Sequence, residues 1–280
     1  MRVKPWEELE ITDDFLFGKV MQNPEICRQT LEAILDIEIS RVDYLEGQKT
    51  LDITADGKSV RLDIYLKDSE NVVYNIEMQP MKRGHLPKRS RYYQALMDLN
   101  LIEKGAGYSE LNQSYVIFIC GFDLFGRNRC IYTFENRCRE ETYLSLGDET
   151  IKIFLNSKGN TASVNANLGA FLAYINHEEN VNNDFVDALD KEVKKVMENK
   201  EWRMEYVKLH LRDQENREEG EAIKLISLVR KKAEKNVSAE DAANMLEDTT
   251  QNIQRIMDVI REHPELNDEQ VYYKMIELYL

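Results

Sequence analysis

The sequence predicts a mixed α/β domain followed by an all-helical extension. Three observations carry this. Two neighbouring segments, Val60–Lys67 and Val72–Gln79, alternate apolar and polar residues, as half-buried strands do. Ser114–Phe122 reads SYVIFICGF, an unbroken apolar run suited to a buried central strand. From Asp184 to about Lys235 the chain has no proline, one glycine and dense mixed charge, which predicts one or two long helices washed by solvent.

The elements can be justified in order. Asn23-Pro24-Glu25 is a helix start, with a capping side chain, proline at the first helical position and an acid in the first turn. Cys27, Thr30, Leu31, Ile34 and Leu35 follow at helical spacing, so this helix runs to about Asp36. Arg41–Leu45 and Thr50–Thr54 read as short strands, with a hairpin turn at Asp56-Gly57. In Val60–Lys67, Arg61, Asp63, Tyr65 and Lys67 form the polar face; in Val72–Gln79, Val73, Asn75, Glu77 and Gln79 oppose Val72, Tyr74, Ile76 and Met78. The turn Asp68–Asn71 makes the two an antiparallel hairpin. Lys88–Lys104 predicts a helix burying Tyr92, Ala95, Leu96, Leu99 and Ile102, ended by Gly105-Ala106-Gly107. A short strand at Cys130–Phe134 and a helix at Leu168–Ile175 follow. Beyond the charged helices, Ser238-Ala239-Glu240-Asp241 resembles a capping box, and Ile253, Ile256, Met257 and Ile260 form a helical stripe. Pro264 breaks that helix, and Asp268–Tyr279 forms the last. The expected division is 1–176 for the α/β domain, 177–236 for the charged helices and 237–280 for a small helical unit.

Composition bounds the function. The 280 residues are 42% hydrophobic, which excludes a wholly disordered chain. No run approaches the roughly 18 apolar residues needed to span a bilayer, and MRVKPWEELEITDD has no apolar core of a secretory signal. The expectation is a soluble, cytoplasmic protein with no membrane partner. The four cysteines include no C-x-x-C pair, so neither a zinc site nor a disulfide framework is expected. With 37 basic and 51 acidic side chains the net charge is −14, which taken alone argues against a broadly basic nucleic-acid binder. No phosphate-binding GxxxxGK[ST] loop and no G-x-S-x-G elbow occurs.

The hairpin carries the chemistry. If Asp63 pairs with Glu77, then Tyr65 faces Asn75, Arg61 faces Gln79, Leu66 meets Tyr74 and Ile64 meets Ile76, so the apolar faces coincide. That register sets two carboxylates side by side. Like charges directly opposite one another are destabilising and make more sense around a divalent cation; oxygen donors suit Mg²⁺ or Mn²⁺. The plain alternative is a solvated polar face on an edge hairpin. Immediately downstream, Met81–Arg91 reads MKRGHLPKRSR, with Lys82, Arg83, Lys88, Arg89 and Arg91 and no acid. Beside the acid pair it reads as a phosphate-contacting segment. Tyr92 and Tyr93 suit core positions better than base stacking, and His85 is an ordinary loop histidine.

Asp63 in VRLDIYLKD followed by Glu77-Met78-Gln79 in NIEMQ resembles the D…(D/E)-x-K signature of the PD-(D/E)XK, or restriction-endonuclease-like, nucleases. More narrowly it resembles the Rpn family of recombination-promoting nucleases and transposases. ITDDFLFGKVM, RSRYYQAL and GAGYSELNQSYVIFICGFDLFG share that likeness, which covers roughly residues 8–126. The resemblance implies a restriction-endonuclease-like mixed sheet flanked by helices, and hydrolysis of DNA phosphodiesters with Mg²⁺ or Mn²⁺. Carried over, Asp63 and Glu77 are metal ligands, the carbonyl of Met78 adds another, and Glu32 is a further acid from the first core helix, where a surface glutamate is the simpler reading. Gln79 stands in the place of the signature lysine. It can orient water or phosphate but carries no charge, so the mechanism leans harder on the metal; Lys67 or Lys82 could supply a nearby charge, and spacing does not require either. Lys82, Arg89 and Arg91 would hold the DNA backbone. A catalytically silent nuclease-like module that binds DNA or a protein partner is the second reading. The C-terminal helices suggest packing or a homodimer more than groove reading.

Overall fold

The computed structural model describes residues 4–45, 50–51, 60–61, 63–82, 84–102, 105–179 and 181–279. The chain divides into two compact units, Met1–Arg203 and Met204–Leu280. Among the described residues the first unit carries the strands β1 (Val42–Tyr44), β2 (Thr50–Leu51), β3 (Val60–Arg61), β4 (Ile64–Asp68), β5 (Val73–Gln79), β6 (Ser114–Cys120), β7 (Ile131–Phe134) and β8 (Thr150–Asn156). Its helices are α1 (Asp14–Val20), α2 (Pro24–Leu35), α3 (Leu86–Leu101), α4 (Ala166–Ile175) and α5 (Asp184–Glu198). Six of these strands form one open sheet in the order β1-β4-β5-β6-β8-β7. Its centre is parallel, β5 with β6 and β6 with β8, and its flanks are antiparallel.

The hairpin forms in the expected register: Ile64 lies opposite Ile76, Tyr65 opposite Asn75 and Leu66 opposite Tyr74. Its first strand is shorter than the alternation suggests. The chain bends at Asp63, and Val60–Arg61 pairs instead with Thr50–Leu51, so Arg61 stands opposite Thr50 and not Gln79. The bend is held by a contact with the neighbouring strand. Asp63 Oδ2 accepts the N–H of Met78 at 3.1 Å, a side chain taking the place of a ladder carbonyl. The expected strand at 52–54 and the Asp56-Gly57 turn lie outside the described residues.

Helices cover both faces of the sheet. On one, Leu86, Tyr93, Leu96 and Met97 of α3 pack with Val73, Val116, Phe118, Cys120 and Phe154. The inward stripe of α3 is Leu86, Ser90, Tyr93, Gln94, Leu96 and Met97, whereas Ala95 and Leu99 are exposed. The stripe differs from the purely apolar one because the sheet face beneath is partly polar: Gln94 Nε2 donates to the buried Ser114 Oγ at 2.7 Å. On the other face α1, α2, α4 and α5 pack among themselves. The α2 start is as read, Asn23 Oδ1 accepting from the N–H groups of Glu25 and Ile26. Strand β8 and helix α1 add to the elements that the sequence pattern predicts.

The charged stretch forms α5 and a second long helix, α6 (Lys200–Ala233). They separate at Asn199, whose side chain accepts from the N–H groups of Glu201 and Trp202 and so caps α6. In the second unit α7 (Ala239–Leu246), α8 (Thr250–Glu262) and α9 (Asp268–Tyr279) gather Ile226, Val229, Ala242, Ile253, Ile256, Met257 and Val271 into a core of their own. Ser238 caps α7 through the Asp241 N–H.

Candidate active site

Strand β5 is buried along its whole length. Its polar side chains therefore face α3 and not water, which sets aside the solvated-hairpin alternative. Asn75 is 0% exposed, Glu77 3% and Gln79 8%. Asp63 follows the same register one step beyond the last ladder pair. The two acids are locked reciprocally through backbone: Asp63 N–H donates to Glu77 Oε1 at 3.2 Å, and Met78 N–H donates to Asp63 Oδ2 at 3.1 Å. Period-two geometry and the bend thus bring together the two carboxylates that the spacing suggests.

The electrostatics follow from burial. Loss of solvent pushes the Glu77 carboxyl well above the ordinary carboxylate range, and the Asp63 charge adds to that rise. The Asp63 N–H and the Arg89 guanidinium oppose it. Asn75 also favours the charged form, though neither of its amide atoms reaches hydrogen-bond geometry with a partner among the described residues.

Arg89 is the residue whose place differs most from expectation. It is not spent on solvent. Its Nη1 donates to Gln79 Oε1 at 2.8 Å, and its Nη2 donates to the Tyr93 hydroxyl at 2.8 Å and to Glu77 Oε2 at 3.3 Å. The guanidinium lies over the rings of Tyr93 and Phe118, 5.3 Å from each centroid. Gln79 Nε2 donates to Met81 O at 2.7 Å, so both ends of its amide are engaged. One turn of α3 separates Arg89 from Tyr93, an i, i+4 pair that is the available signal for this bracket. By contrast Lys82, Lys88 and Arg91 are exposed and make no ion pair among the described residues. Lys67 pairs with Val73, four residues from Asp63, so about 13 Å of strand separates it from the acids.

Glu32 is not brought to this cluster. Its Oε1 accepts from Arg28 Nη1 at 2.5 Å and from the Ile39 N–H at 2.8 Å. It lines a cavity with Asp68 and Tyr74, on the sheet face that alternation turns away from Glu77.

Could a divalent ion fit? A buried carboxylate destabilised by a second one is the arrangement such an ion relieves. Among the described residues no group of three or more His, Cys, Asp or Glu is assembled. Two carboxylates, with waters and phosphate oxygens completing the shell, nonetheless match the sparse protein ligation usual for Mg²⁺. The oxygen donor set therefore fits.

A mixed sheet presenting an acid at a strand bend, a second acid across from it and a polar residue two positions further on belongs to the PD-(D/E)XK class of nuclease folds. The chain is a member of one family within that class, the PD-(D/E)XK nuclease family transposases, whose model matches residues 14–224. No curated protein and no solved structure matches the chain. Among the described residues no helix is long and apolar enough to cross a membrane.

Proposed function

We propose that the protein is a metal-dependent DNA endonuclease, hydrolysing phosphodiester bonds in recombination or the movement of mobile elements. One observation carries the reading: Glu77, almost wholly buried, is held against a second carboxylate by reciprocal backbone hydrogen bonds. Such an arrangement costs stability unless a cation is meant to occupy it. Asp63 and Glu77 would hold Mg²⁺ or Mn²⁺, with the Met78 carbonyl as a third donor. The ion, when bound, would supply Lewis acidity at the scissile phosphate and lower the pKa of water. Gln79 orients rather than titrates, since its amide is neutral and held by Arg89 and Met81. Lys82 and Arg91, both exposed, would serve the DNA backbone. The narrower Rpn likeness supports the recombination role. The division at 1–176, 177–236 and 237–280 remains our proposal for the functional parts. A homodimer through the C-terminal helices gains no support from their packing, which spends Ile253, Ile256 and Met257 on the unit's own core.

Plasmid nicking tests the reading. Mg²⁺ or Mn²⁺ is expected to support nicking, EDTA to stop it, and Asp63→Ala or Glu77→Ala to abolish it. Equal cutting by Asp63→Ala would sink the assignment. The engaged amide of Gln79 favours a second reading, a silent module that binds DNA without cutting. Calorimetric titration with Mn²⁺ separates the two: a site removed by Glu77→Ala supports the enzyme, and DNA binding with no metal site supports the module.

A further inference from the structure

The parallel centre of the sheet ends β5, β6 and β8 at one edge, with Gln79, Cys120 and Asn156 in register. The loops that leave this edge are locked to one another. Gly121 N–H donates to Gln79 O at 3.1 Å, and a Cβ on Gly121 would lie 2.5 Å from Pro80 O. Ser157 N–H donates to Cys120 O, and Asn156 Nδ2 donates to Arg129 O at 3.1 Å. Gly159 fits so closely under the next loop that its Cβ would stand 2.5 Å from the Arg129 carbonyl.

The loop from Gly121 to Arg129 is itself built from within. The Asp123 carboxylate accepts the N–H groups of Phe125, Gly126 and Asn128 and the Tyr132 hydroxyl. The Tyr132 oxygen in turn accepts the N–H groups of Arg127 and Arg129 at 3.2 Å. The one acid here is thus consumed by the loop's own backbone. What the loops leave exposed is Arg127, Arg129 and Lys158, and none makes an ion pair among the described residues. Three such cations on a rigid edge stand out in a chain of net charge −14.

We propose that Arg127, Arg129 and Lys158 form a second phosphate-contacting surface, which holds the backbone of duplex DNA alongside the acid pair. This rests on the nuclease reading for its choice of partner. Strands lie about 4.8 Å apart, so the end of β8 is about 10 Å from that of β5. At 3.4 Å of rise per nucleotide that reach is about three nucleotides from the phosphate at Asp63 and Glu77. Backbone contacts of this kind set register on the duplex without reading sequence. The pre-ordered loop costs little further entropy on binding.

The test is the salt dependence of binding to a fluorescein-labelled 20-base-pair duplex, read by anisotropy in EDTA so that nothing is cut. The triple variant Arg127→Gln, Arg129→Gln, Lys158→Gln removes exposed charge only and is expected to melt like the wild type. Its plot of log K against log salt is expected to be shallower by about 2–3, at roughly 0.9 for each phosphate no longer neutralised. Its Kd at low salt is expected to rise about tenfold or more, and Arg127→Lys, Arg129→Lys is expected to keep most of the wild-type slope. An unchanged slope and Kd in the triple variant overturns the proposal, as does a wild type that binds no duplex. If the triple variant shows the shallower slope and no plasmid is nicked, the nuclease reading fails and this surface stands. If plasmid is nicked and the triple variant binds like the wild type, this surface alone fails.

Discussion

Gln79 occupies the place where the signature of this nuclease class carries a lysine, and an amide brings no charge there. Arg89, on the neighbouring helix and ten residues away in sequence, touches Gln79 and Glu77 at once and would supply the charge in our reading. Arg89→Gln is expected to lower nicking by about 10²-fold, the scale of a misplaced site, while leaving the fold intact. Adding Gln79→Lys to that variant returns a cation to the site and is expected to recover part of the loss. No recovery, with both proteins folded by circular dichroism, would count against charge replacement as what Arg89 supplies. At this scale the acids are legible in the sequence because strand alternation has a period of two and the apolar residues fix the register. Arg89 reads there as a DNA contact. Its true direction depends on the rotation of α3 about its axis, which Leu86, Tyr93, Leu96 and Met97 settle by packing. Glu32 is misleading for a similar reason: helix spacing does not tell which sheet face a helix covers.

At the scale of elements, the break at Asp63 and the tight loops matter most. Val60–Lys67 alternates without interruption, so nothing local marks the bend; a hydrogen bond from another strand imposes it. Strand β8 escapes the pattern because it follows a polar stretch and contains Lys152. The glycine positions offer a direct check on packing. Gly159→Ala forces a Cβ to 2.5 Å from the Arg129 backbone, and overpacking of this kind costs about 1–3 kcal/mol. A lower urea midpoint is expected, and an unchanged one would show that the loops are not locked. Asp123 gives a pH signature. Burial opposes its ionisation, but the N–H groups of Asn128, Gly126 and Phe125 and the Tyr132 hydroxyl outweigh this and hold its carboxyl below the usual carboxylate range. A depressed carboxyl contributes stability that is present above its unfolded pKa and is lost as pH falls through the folded value. The urea midpoint of the wild type is therefore expected to fall more on acidification below about pH 4 than that of Asp123→Asn.

At the scale of the whole molecule, the fold class is the most legible feature. Hairpin, central apolar strand and charge-dense helices each announce themselves, and the structure departs from the pattern chiefly in the hairpin's first strand, which begins at Ile64 and not at Val60. The net charge is a poor guide to any one region, because it averages unlike parts: residues 184–235 carry 13 acidic and 13 basic side chains, whereas 236–280 carry 10 acidic and 3 basic. The second unit has its own apolar core and its own caps. A fragment spanning 204–280 is expected to be helical and to melt cooperatively; a featureless circular dichroism spectrum would deny it independent stability. An apolar core this small supplies only a few kcal/mol, so a low melting temperature is part of that expectation.

The sheet order also has a consequence in time. The central strand β6 needs β5 on one edge and β8 on the other, and β8 is made last. About 36 residues separate Cys120 from Asn156. At a synthesis rate of roughly 5–20 residues per second, that interval lasts about 2–7 s. Throughout it the nascent chain presents SYVIFIC, uncharged and strand-forming, with one edge open. Edges of that kind recruit one another on crowded polysomes. Slower translation across this interval is therefore expected to lower the soluble yield without changing the urea midpoint of the finished protein.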